Sequence, residues 1–470
     1  MKKMILGAAA LMIGGVAMAQ EVTPAVATNQ TNYQHANASE VTQGSEYSAD
    51  YQKARVRQVG LRNSSVITQD GLATSVELGN SADVYQLGAD AQAEIAQNGF
   101  NNRGAIAQIG GGDPGIDGNK AVLLQGNDDA ASSNNIGIIA QGAPGVDDVD
   151  FGAEANEAIL TQNGTENKAS ITQLFDRNDA AVNQVGTNNL STVLQVASED
   201  LSAGMEAVVS QDGADNISVV DQAPDESIAG SDSGRSYAET NQYGDANQAL
   251  QIQRSTALEG EQGETAVINQ GVDGVTSVNA IAIQDQRGAG NNALINQSGT
   301  NPTDDGDYAK QRQLGGNNYA EANQDNSTGT ASTGNFSFQD QDGWDNVSVN
   351  TQLGLANKAQ SKQIGNNNTA TTTQEGDTNF AHITQMWSNS VATTNQVGGF
   401  NHALVNQMEG QSSLINQDGW HNKAAVFQSN GADLPANQTE LIFGERYEFT
   451  PDVPTLEPVP HLTVTTSPYN

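Results

Sequence analysis

Residues 374–385 read QEGDTNFAHITQ, and closely related segments follow one another as far as residue 428. Glutamine returns every eleven residues in this part of the chain, with one step of ten. Most of these glutamines are followed by glycine after two residues and by asparagine after five, so the unit is Q-x-G-x-x-N-x-[AS]-x-hydrophobic-x-Q. A short repeat over most of a chain predicts a stack of similar units in place of a globular core.

Three sets of positions define this unit in its most regular part. The glutamines are Gln352, Gln363, Gln374, Gln385, Gln396, Gln407, Gln417 and Gln428; the asparagines are Asn357, Asn368, Asn379, Asn401 and Asn422; the glycines are Gly354, Gly365, Gly376, Gly398 and Gly419.

The segment from asparagine to the next glutamine alternates with a period of two. In residues 379–385 the odd positions hold Asn, Ala, Ile and Gln, while the even positions vary freely from one unit to the next. This pattern predicts a β-strand with one specified, inward face and one unspecified, outward face. The glycine after each glutamine permits a positive φ where the chain turns.

Successive strands bury their specified faces if the chain winds as strand, turn, strand, turn. The sequence therefore predicts an all-β solenoid with about 22 residues per coil, in which two parallel sheets pack face to face at a strand spacing of ~4.8 Å. About 30 such strands fit between residues 37 and 428, which gives about 15 coils and a rod of roughly 70 Å. We expect the buried glutamines and asparagines to stack as hydrogen-bonded amide ladders.

Four segments divide the chain. Residues 1–19 are predicted to be a signal peptide, with Lys2 and Lys3 before an apolar run and cleavage between Ala19 and Gln20. Residues 20–36 form a polar N-terminal segment, residues 37–428 the repeat, and residues 429–470 a tail with several prolines. Residues 441–450 of the tail are compatible with one last strand, and we predict that the tail either caps the last coils, engages a partner or is disordered.

Some turns carry insertions, and two stretches fit the repeat poorly. Five insertions are assigned to one edge of the stack and one to the other edge, whereas the edge of two later insertions stays open. An extra or slipped strand is possible in residues 74–80 and 271–286. The five insertions follow Gln108, Gln141, Gln195, Gln222 and Gln253, the single one follows Gln125, and the two open ones follow Gln297 and Gln324.

The composition restricts the classes of partner. The chain is only 36% hydrophobic, has no cysteine and carries a formal net charge of −36. This charge argues against nucleic acid or an anionic membrane as a partner and favours solubility. No apolar run is long enough for a transmembrane helix. The acidic insertions are expected to delay polymerisation, so that salt shortens the lag, and specific calcium binding is the less favoured alternative because no calcium-loop spacing is present.

The intact units at residues 363–374, 374–385, 396–407 and 417–428 resemble the curlin repeat of bacterial curli subunits, and the resemblance covers roughly residues 37–428. The resemblance implies a secreted subunit that polymerises with itself into an extracellular amyloid fibre at the surface of a Gram-negative bacterium, where it forms biofilm matrix. It also implies a nucleator subunit, an outer-membrane secretion pore and periplasmic chaperones as partners.

The sequence shows no catalytic motif, so we expect neither enzymatic activity nor a cofactor or metal site. His382 and His402 are predicted on outward positions of one sheet, where a solvated face is favoured over a metal pair. Trp344 and Trp420 follow turn glycines and are expected to pack over the turns. Two other functions stay open: a monomeric solenoid that binds carbohydrate, ice or a cell surface, and a β-helical enzyme that degrades polysaccharides.

Overall fold

The computed structural model describes most of the repeat region. The described residues are 37–44, 52–71, 79–110, 118–126, 132–142, 155–197, 204–224, 236–257, 262–271, 276–299, 306–326 and 334–429. The predicted signal peptide, the polar N-terminal segment, the possible strand at 441–450 and nearly all of the tail lie outside these residues.

One sheet contains 17 of the 32 strands of the described residues and is called the first sheet. Its strands are β1 (Ala38–Gly44), β3 (Ser64–Asp70), β5 (Gln92–Phe100), β7 (Lys120–Gln125), β8 (Ser132–Ser133), β10 (Glu157–Thr165), β12 (Asp179–Thr187), β14 (Glu206–Ala214), β16 (Tyr237–Asp245), β18 (Thr265–Gln270), β19 (Ser277–Val278), β21 (Asn292–Ser298), β23 (Tyr319–Asp325), β25 (Val347–Leu353), β27 (Thr369–Asp377), β29 (Val391–Gly399) and β31 (Ser412–Trp420).

The second sheet contains the other 15 strands. They are β2 (Lys53–Leu61), β4 (Ser81–Ala89), β6 (Arg103–Gly110), β9 (Ile136–Gln141), β11 (Lys168–Leu174), β13 (Leu190–Val196), β15 (Ile217–Pro224), β17 (Gln248–Ser255), β20 (Ile281–Ala289), β22 (Tyr308–Gly316), β24 (Phe336–Trp344), β26 (Lys358–Ile364), β28 (Phe380–Met386), β30 (His402–Met408) and β32 (Lys423–Gln428).

Each strand pairs in parallel with the equivalent strand of the next coil. Gln374 of β27 lies opposite Gln396 of β29, and Gln385 of β28 lies opposite Gln407 of β30, so the register advances by one 22-residue coil. The prediction of an all-β solenoid with two parallel sheets is therefore confirmed. Within the part of the chain that the structure describes, no helix is long and apolar enough to cross a membrane.

Two coils contain a strand that is split by an insertion. In one, β7 ends at Gln125 and pairs with residues 92–97 of β5. The two-residue β8 then pairs with Gly99 and Phe100, farther along the same strand. In the other, β18 and β19 divide the pairing with β16 in the same way. The short β19 is the extra strand considered for residues 271–286, and β20 follows it without a slip, since Gln286 lies opposite Gln253. Of the other doubtful stretch, residues 74–80, the structure describes only residues 79 and 80.

The strand assignment places the insertions on two edges. The breaks in the described residues after Gln108, Gln141, Gln195, Gln222 and Gln253 all follow strands of the second sheet, so these insertions share one edge, as predicted. The breaks after Gln125, Gln297 and Gln324 follow strands of the first sheet, which answers the open question: the two later insertions leave from the opposite edge.

The inward side chains form the core between the sheets. Alternation is visible in β28, where Ala381, Ile383 and Gln385 are buried and the residues between them are not. The buried apolar residues fall into three clusters: one extends from Ile67 to Ala238, a second from Ala249 to Ala322 and a third from Ala370 to Ile415. Polar inward residues separate the clusters.

Candidate functional site

A continuous chain of glutamine amides runs along each sheet. In the first sheet each Nε2 donates to the Oε1 of the next coil, from Gln43 to Gln417, at 2.6–3.0 Å. In the second sheet the same bonds run from Gln58 to Gln428 at 2.7–3.1 Å. Every coil contributes one glutamine to each ladder, because the strands stay in register across all the insertions.

The second amide hydrogen of each ladder glutamine after Gln43 links the two sheets. Gln385 Nε2 donates to the backbone oxygen of Thr369 at 2.9 Å, and Gln407 Nε2 donates to that of Val391 at 3.2 Å. Both acceptors belong to the first sheet, whereas both glutamines belong to the second. These buried amides are therefore satisfied in two directions, along the stack and across the core, which removes the usual cost of burying them.

The asparagine before each strand joins neighbouring turns. The backbone N–H of Asn401 donates to Asn379 Oδ1 at 3.2 Å, and Asn379 Nδ2 donates to the backbone oxygen of Gly398 at 3.0 Å. Asn401 Nδ2 repeats this bond to the oxygen of Gly419 at 2.9 Å. Each asparagine thus connects its own coil with the coils on both sides.

The turn glycines adopt the backbone conformation that their position requires. The five glycines named from the sequence have φ between +98° and +117°. A Cβ on Gly376 would also lie 2.1 Å from the backbone oxygen of Gly398 in the next coil. A side chain is therefore excluded both by the positive φ and by the close approach of the stacked turns.

The structure places the thirteen amide residues named from the sequence in these ladders. Eleven are buried, and the two that are more accessible, Asn422 and Gln428, belong to the last coil. The buried ones are Gln352, Asn357, Gln363, Asn368, Gln374, Asn379, Gln385, Gln396, Asn401, Gln407 and Gln417.

A third glutamine ladder was missed in the sequence. Gln251, Gln284, Gln311 and Gln339 occupy inward positions of the second sheet and are hydrogen-bonded in series at 2.8–3.1 Å. Their signal is the tripeptide Q-x-Q, which occurs in four successive strands of this sheet, β17, β20, β22 and β24. They occupy the position where the repeat otherwise has a hydrophobic residue, so these units do not match the pattern by which the repeat was defined.

Two buried acids replace asparagines in the asparagine ladders. Glu264 accepts from the N–H of Asn291 at 3.0 Å, and Asp307 accepts from the N–H of Asn335 at 2.7 Å. Burial raises the pKa of Glu264 to about 8 and that of Asp307 to about 7, although the hydrogen bonds to the asparagines oppose the shift. The two acids lie at opposite edges of neighbouring coils.

The histidines do not form a facing pair. His382 and His402 are outward on neighbouring strands of the second sheet, but His382 lies opposite Leu404 and His402 lies opposite Phe380. Burial lowers the pKa of His382 to about 4. Among the described residues no group of three or more His, Cys, Asp or Glu is arranged to hold a metal ion. The acidic insertions at 147–148, 225–226 and 304–305 lie outside those residues.

Two tryptophans cover turns, as the sequence predicts. The Trp344 ring lies against Gly316 and the Trp420 ring against Gly399, the equivalent residues of the preceding coils. Both rings remain about half exposed or more, at 51% and 62%. They pack over the turns while leaving one face accessible.

The two ends of the described stack are chemically different. Gln43 and Gln58 are the first rungs there, so no preceding rung donates to their Oε1 atoms. Gln417 and Gln428 are the last rungs, and each uses one amide hydrogen across the core, to His402 and Ser412 respectively. Within the described residues the first coil thus offers ladder acceptors and the last coil offers ladder donors.

Comparison with known proteins identifies the repeat. Residues 365–390 match the family model of the curlin associated repeat, which confirms the resemblance. No curated protein matches the chain. The matched residues contain β27 and β28, which together make one complete coil, and such a repeat supports a structural subunit of the curli type.

Proposed function

We propose that this chain is a secreted structural subunit that stacks end to end with copies of itself into an extracellular curli-like amyloid fibre. The observation that carries the proposal is the complementarity of the two end coils in ladder polarity and in inward side chains. The curlin-repeat match supports the same class of function. In this function the ladders have a structural role and no catalytic one.

Ladder polarity fixes the relative orientation of successive subunits. Every Nε2 in both ladders donates toward the C-terminal end, so the ladder donors of Gln417 and Gln428, which meet no further rung within the described residues, point to where the next coil would lie. The acceptors of Gln43 and Gln58 of another copy fit those donors. Two copies joined in the opposite sense would place donor against donor or acceptor against acceptor, so the polymer is head to tail.

The inward residues of the two ends also match in register. If Gln58 of one copy follows Gln428 of another, Val56 lies beside Val426 and Ala54 beside Ala424. In the first sheet the same rule places Val41 beside Ile415 and Ser39 beside Ser413. Within the described residues β1, β2, β31 and β32 each pair with a neighbour on one side only, so their outer edges can form the backbone hydrogen bonds of the junction.

The outward residues at this junction include one attractive and one repulsive pair. Arg57 would lie beside Phe427, just as its guanidinium already lies 5.3 Å from the ring centre of Tyr85 on its other side. Lys53 would lie beside Lys423, and this like-charge pair is weakened by salt. Added salt is therefore expected to favour junction formation.

Assembly of this kind fits an extracellular biofilm fibre. We propose that the subunit leaves the cell through an outer-membrane pore of the curli type with the help of periplasmic chaperones and that a nucleator subunit starts its polymerisation. The predicted signal peptide, the net charge of −36 and the repeat support this proposal. Biofilm matrix, adhesion and cell aggregation are the roles that follow.

Variants that block one end each test the polarity. Val56→Asp places a charge in the first coil and Val426→Asp places one in the last coil, and both side chains are partly buried at the rim of the core. Neither variant alone should form fibres by negative-stain microscopy, because every junction would contain one charged end. A 1:1 mixture should form dimers in analytical ultracentrifugation, because one intact donor end meets one intact acceptor end.

Two controls limit the interpretation. Circular dichroism should show the same β content for both variants as for the wild type, and Leu404→Asp, outward on β30, should still form fibres. Fibre formation by either end variant at the wild-type rate, or a mixture that stays monomeric, would contradict head-to-tail stacking. Wild-type protein that remains monomeric over days would instead favour the surface-binding solenoid.

A further inference from the structure

One part of the outer surface carries no charge, although the chain as a whole is strongly acidic. It comprises the outward residues that precede the ladder glutamine in β25, β27, β29 and β31, and it is called the uncharged patch. At its centre are Val349, Thr351, Thr371, Thr373, Thr393 and Asn395. None of its outward side chains is ionisable, and Asn395 Nδ2 donates along the face to Asn416 at 2.8 Å.

The other outward faces differ from this patch. Further toward the N-terminus of the same sheet, Glu157, Asp179 and Glu206 lie opposite one another on successive strands, and Lys120 forms an ion pair with Glu157. On the second sheet of the same C-terminal coils, the outward residues include Lys358, Lys362, His382, His402 and Lys423. β18 and β21 of the same sheet also lack outward charges, but they are flanked by Glu239 and Glu321. Among the described residues, an uncharged face that extends over four successive strands is found only on these coils of the first sheet.

This face is suited to pack against a copy of itself. Two chains that each carry a formal charge of −36 repel one another over most orientations. That repulsion is smallest where uncharged faces meet. Valine and threonine are β-branched, and regular rows of them on a strand surface let the side chains of two sheets interdigitate and exclude water.

The size of the patch predicts when it associates. Four strands of seven residues cover roughly 19 Å by 23 Å, or about 440 Å², from the standard strand spacing and rise. A stable pair of proteins commonly buries about 800 Å² per partner. One patch is therefore too small to hold two free subunits together, but a fibre presents it once every ~70 Å, so many patches act together.

We infer that the uncharged patch is the surface through which fibres of this protein associate side by side, with a second fibre of the same chain as the partner. The inference rests on the proposed end-to-end assembly. The inferred contact is lateral and forms only after elongation. A single patch binds too weakly, whereas many patches along two fibres bind together.

Thr371→Lys tests the lateral contact. The residue is outward at the centre of the patch, and its neighbours Val349 and Thr393 are uncharged. Two opposing patches would then bring lysines together in a dehydrated contact at every subunit. We expect the fraction of fibres in bundles, counted by negative-stain microscopy, to fall about tenfold or more, since avidity multiplies the loss. Seeded elongation should keep its wild-type rate. Leu404→Lys, outward on the opposite sheet, is the matched control and should bundle normally.

Each outcome discriminates. Thr371→Lys fibres that bundle like the wild type, or a Leu404→Lys variant that loses bundling equally, would overturn the inference, as would wild-type fibres that stay single. If Thr371→Lys does not elongate, Thr393→Lys on the next strand repeats the test. If neither variant elongates, the patch is needed for folding, and the inference of a lateral contact is overturned. Complete absence of wild-type fibres would overturn the proposed function and the lateral contact together.

Discussion

The coils before residue 256 and those after residue 334 share one backbone plan but contain different interiors. In the earlier coils a continuous apolar cluster extends from Ile67 to Ala238, and the described segments are interrupted by insertions. In the later coils the repeat runs without interruption, and the inward residues include Ser348, Asn350 and Thr372 beside alanines.

The glutamine ladders pass through both regions without a break. The constant element of the fold is therefore the ladder, and the apolar filling between the sheets can change. The third glutamine ladder starts at Gln251 in the earlier region and ends at Gln339 in the later one, and along it amides that bond to one another replace apolar residues. These buried amides are tolerated because each of them is hydrogen-bonded to an amide one coil away.

Loss of a ladder glutamine should give the largest effect, and the same effect in both regions. Gln407→Leu removes the acceptor of Gln385 and the donor to Val391, and Gln173→Leu does the same in the earlier coils. Each orphaned buried group costs about 1–3 kcal/mol. Both variants should unfold at markedly lower denaturant concentration and assemble slowly. The outward control His402→Ser should behave like the wild type, and equal lag times for Gln407→Leu and His402→Ser would contradict the inward–outward assignment.

Loss of an apolar side chain should separate the regions. Ile171 is fully buried in the continuous cluster, so Ile171→Ala should lower the free energy of unfolding by about 2–5 kcal/mol. Ser361 lies on the equivalent inward position of β26 and buries no methyl groups. Ser361→Ala should therefore lower the free energy of unfolding by less. The difference is measured by denaturant unfolding, with hydrogen exchange of the strand amides as the probe. Equal losses would mean that the interiors contribute alike.

The largest contributions to the pH dependence should originate between the two regions, and Asp179 of the earlier region, whose pKa burial raises to about 6, should add a smaller one. The pKa values of Glu264 (about 8) and Asp307 (about 7) are raised in the folded chain above their ordinary values, so folding favours the protonated acids. The free energy of unfolding should then fall as the pH rises from about 4 to 8, because ionisation is easier in the unfolded chain. Glu264→Gln with Asp307→Asn should flatten this decline in unfolding curves recorded across that range. A double variant with an unchanged pH profile would show that other groups are responsible.

The smallest expected effect has the opposite sign. The buried hydroxyl of Thr372 has no hydrogen-bond partner among the described residues. Thr372→Val keeps the shape and removes the unsatisfied group, so it should stabilise the later coils by about 1 kcal/mol. Thermal unfolding of the soluble protein is the measurement, with Thr371→Val on the outward side as the control. A destabilised Thr372→Val would indicate that the hydroxyl is hydrogen-bonded in solution.

Much of the architecture was predictable from local pattern. Alternation in residues such as 379–385 identified the inward face, and the constant spacing of glutamine and glycine indicated the coil length. Such features depend on neighbours within one unit. This is why the fold and the shared edge of five insertions agreed with the sequence.

The remaining features depend on residues a full coil away. Gln251 appears out of place in its own strand, and only Gln284, 33 residues later, supplies its partner. Asp307 likewise occupies an asparagine position that becomes visible only when Asn335 is stacked upon it. The edge of the later insertions was uncertain because β19 obscured the count of strands. A local pattern does not show which strands pair when insertions of variable length lie between them.

The split strands have a consequence for how such a protein can change. β7 stops at Gln125 and β8 begins at Ser132, yet both strands pair in register with β10 of the following coil. Extra residues between β7 and β8 therefore do not shift the strand register in the rest of the stack. We therefore expect this position to tolerate grafted foreign peptides, and evolution can add new segments there without redesigning the scaffold.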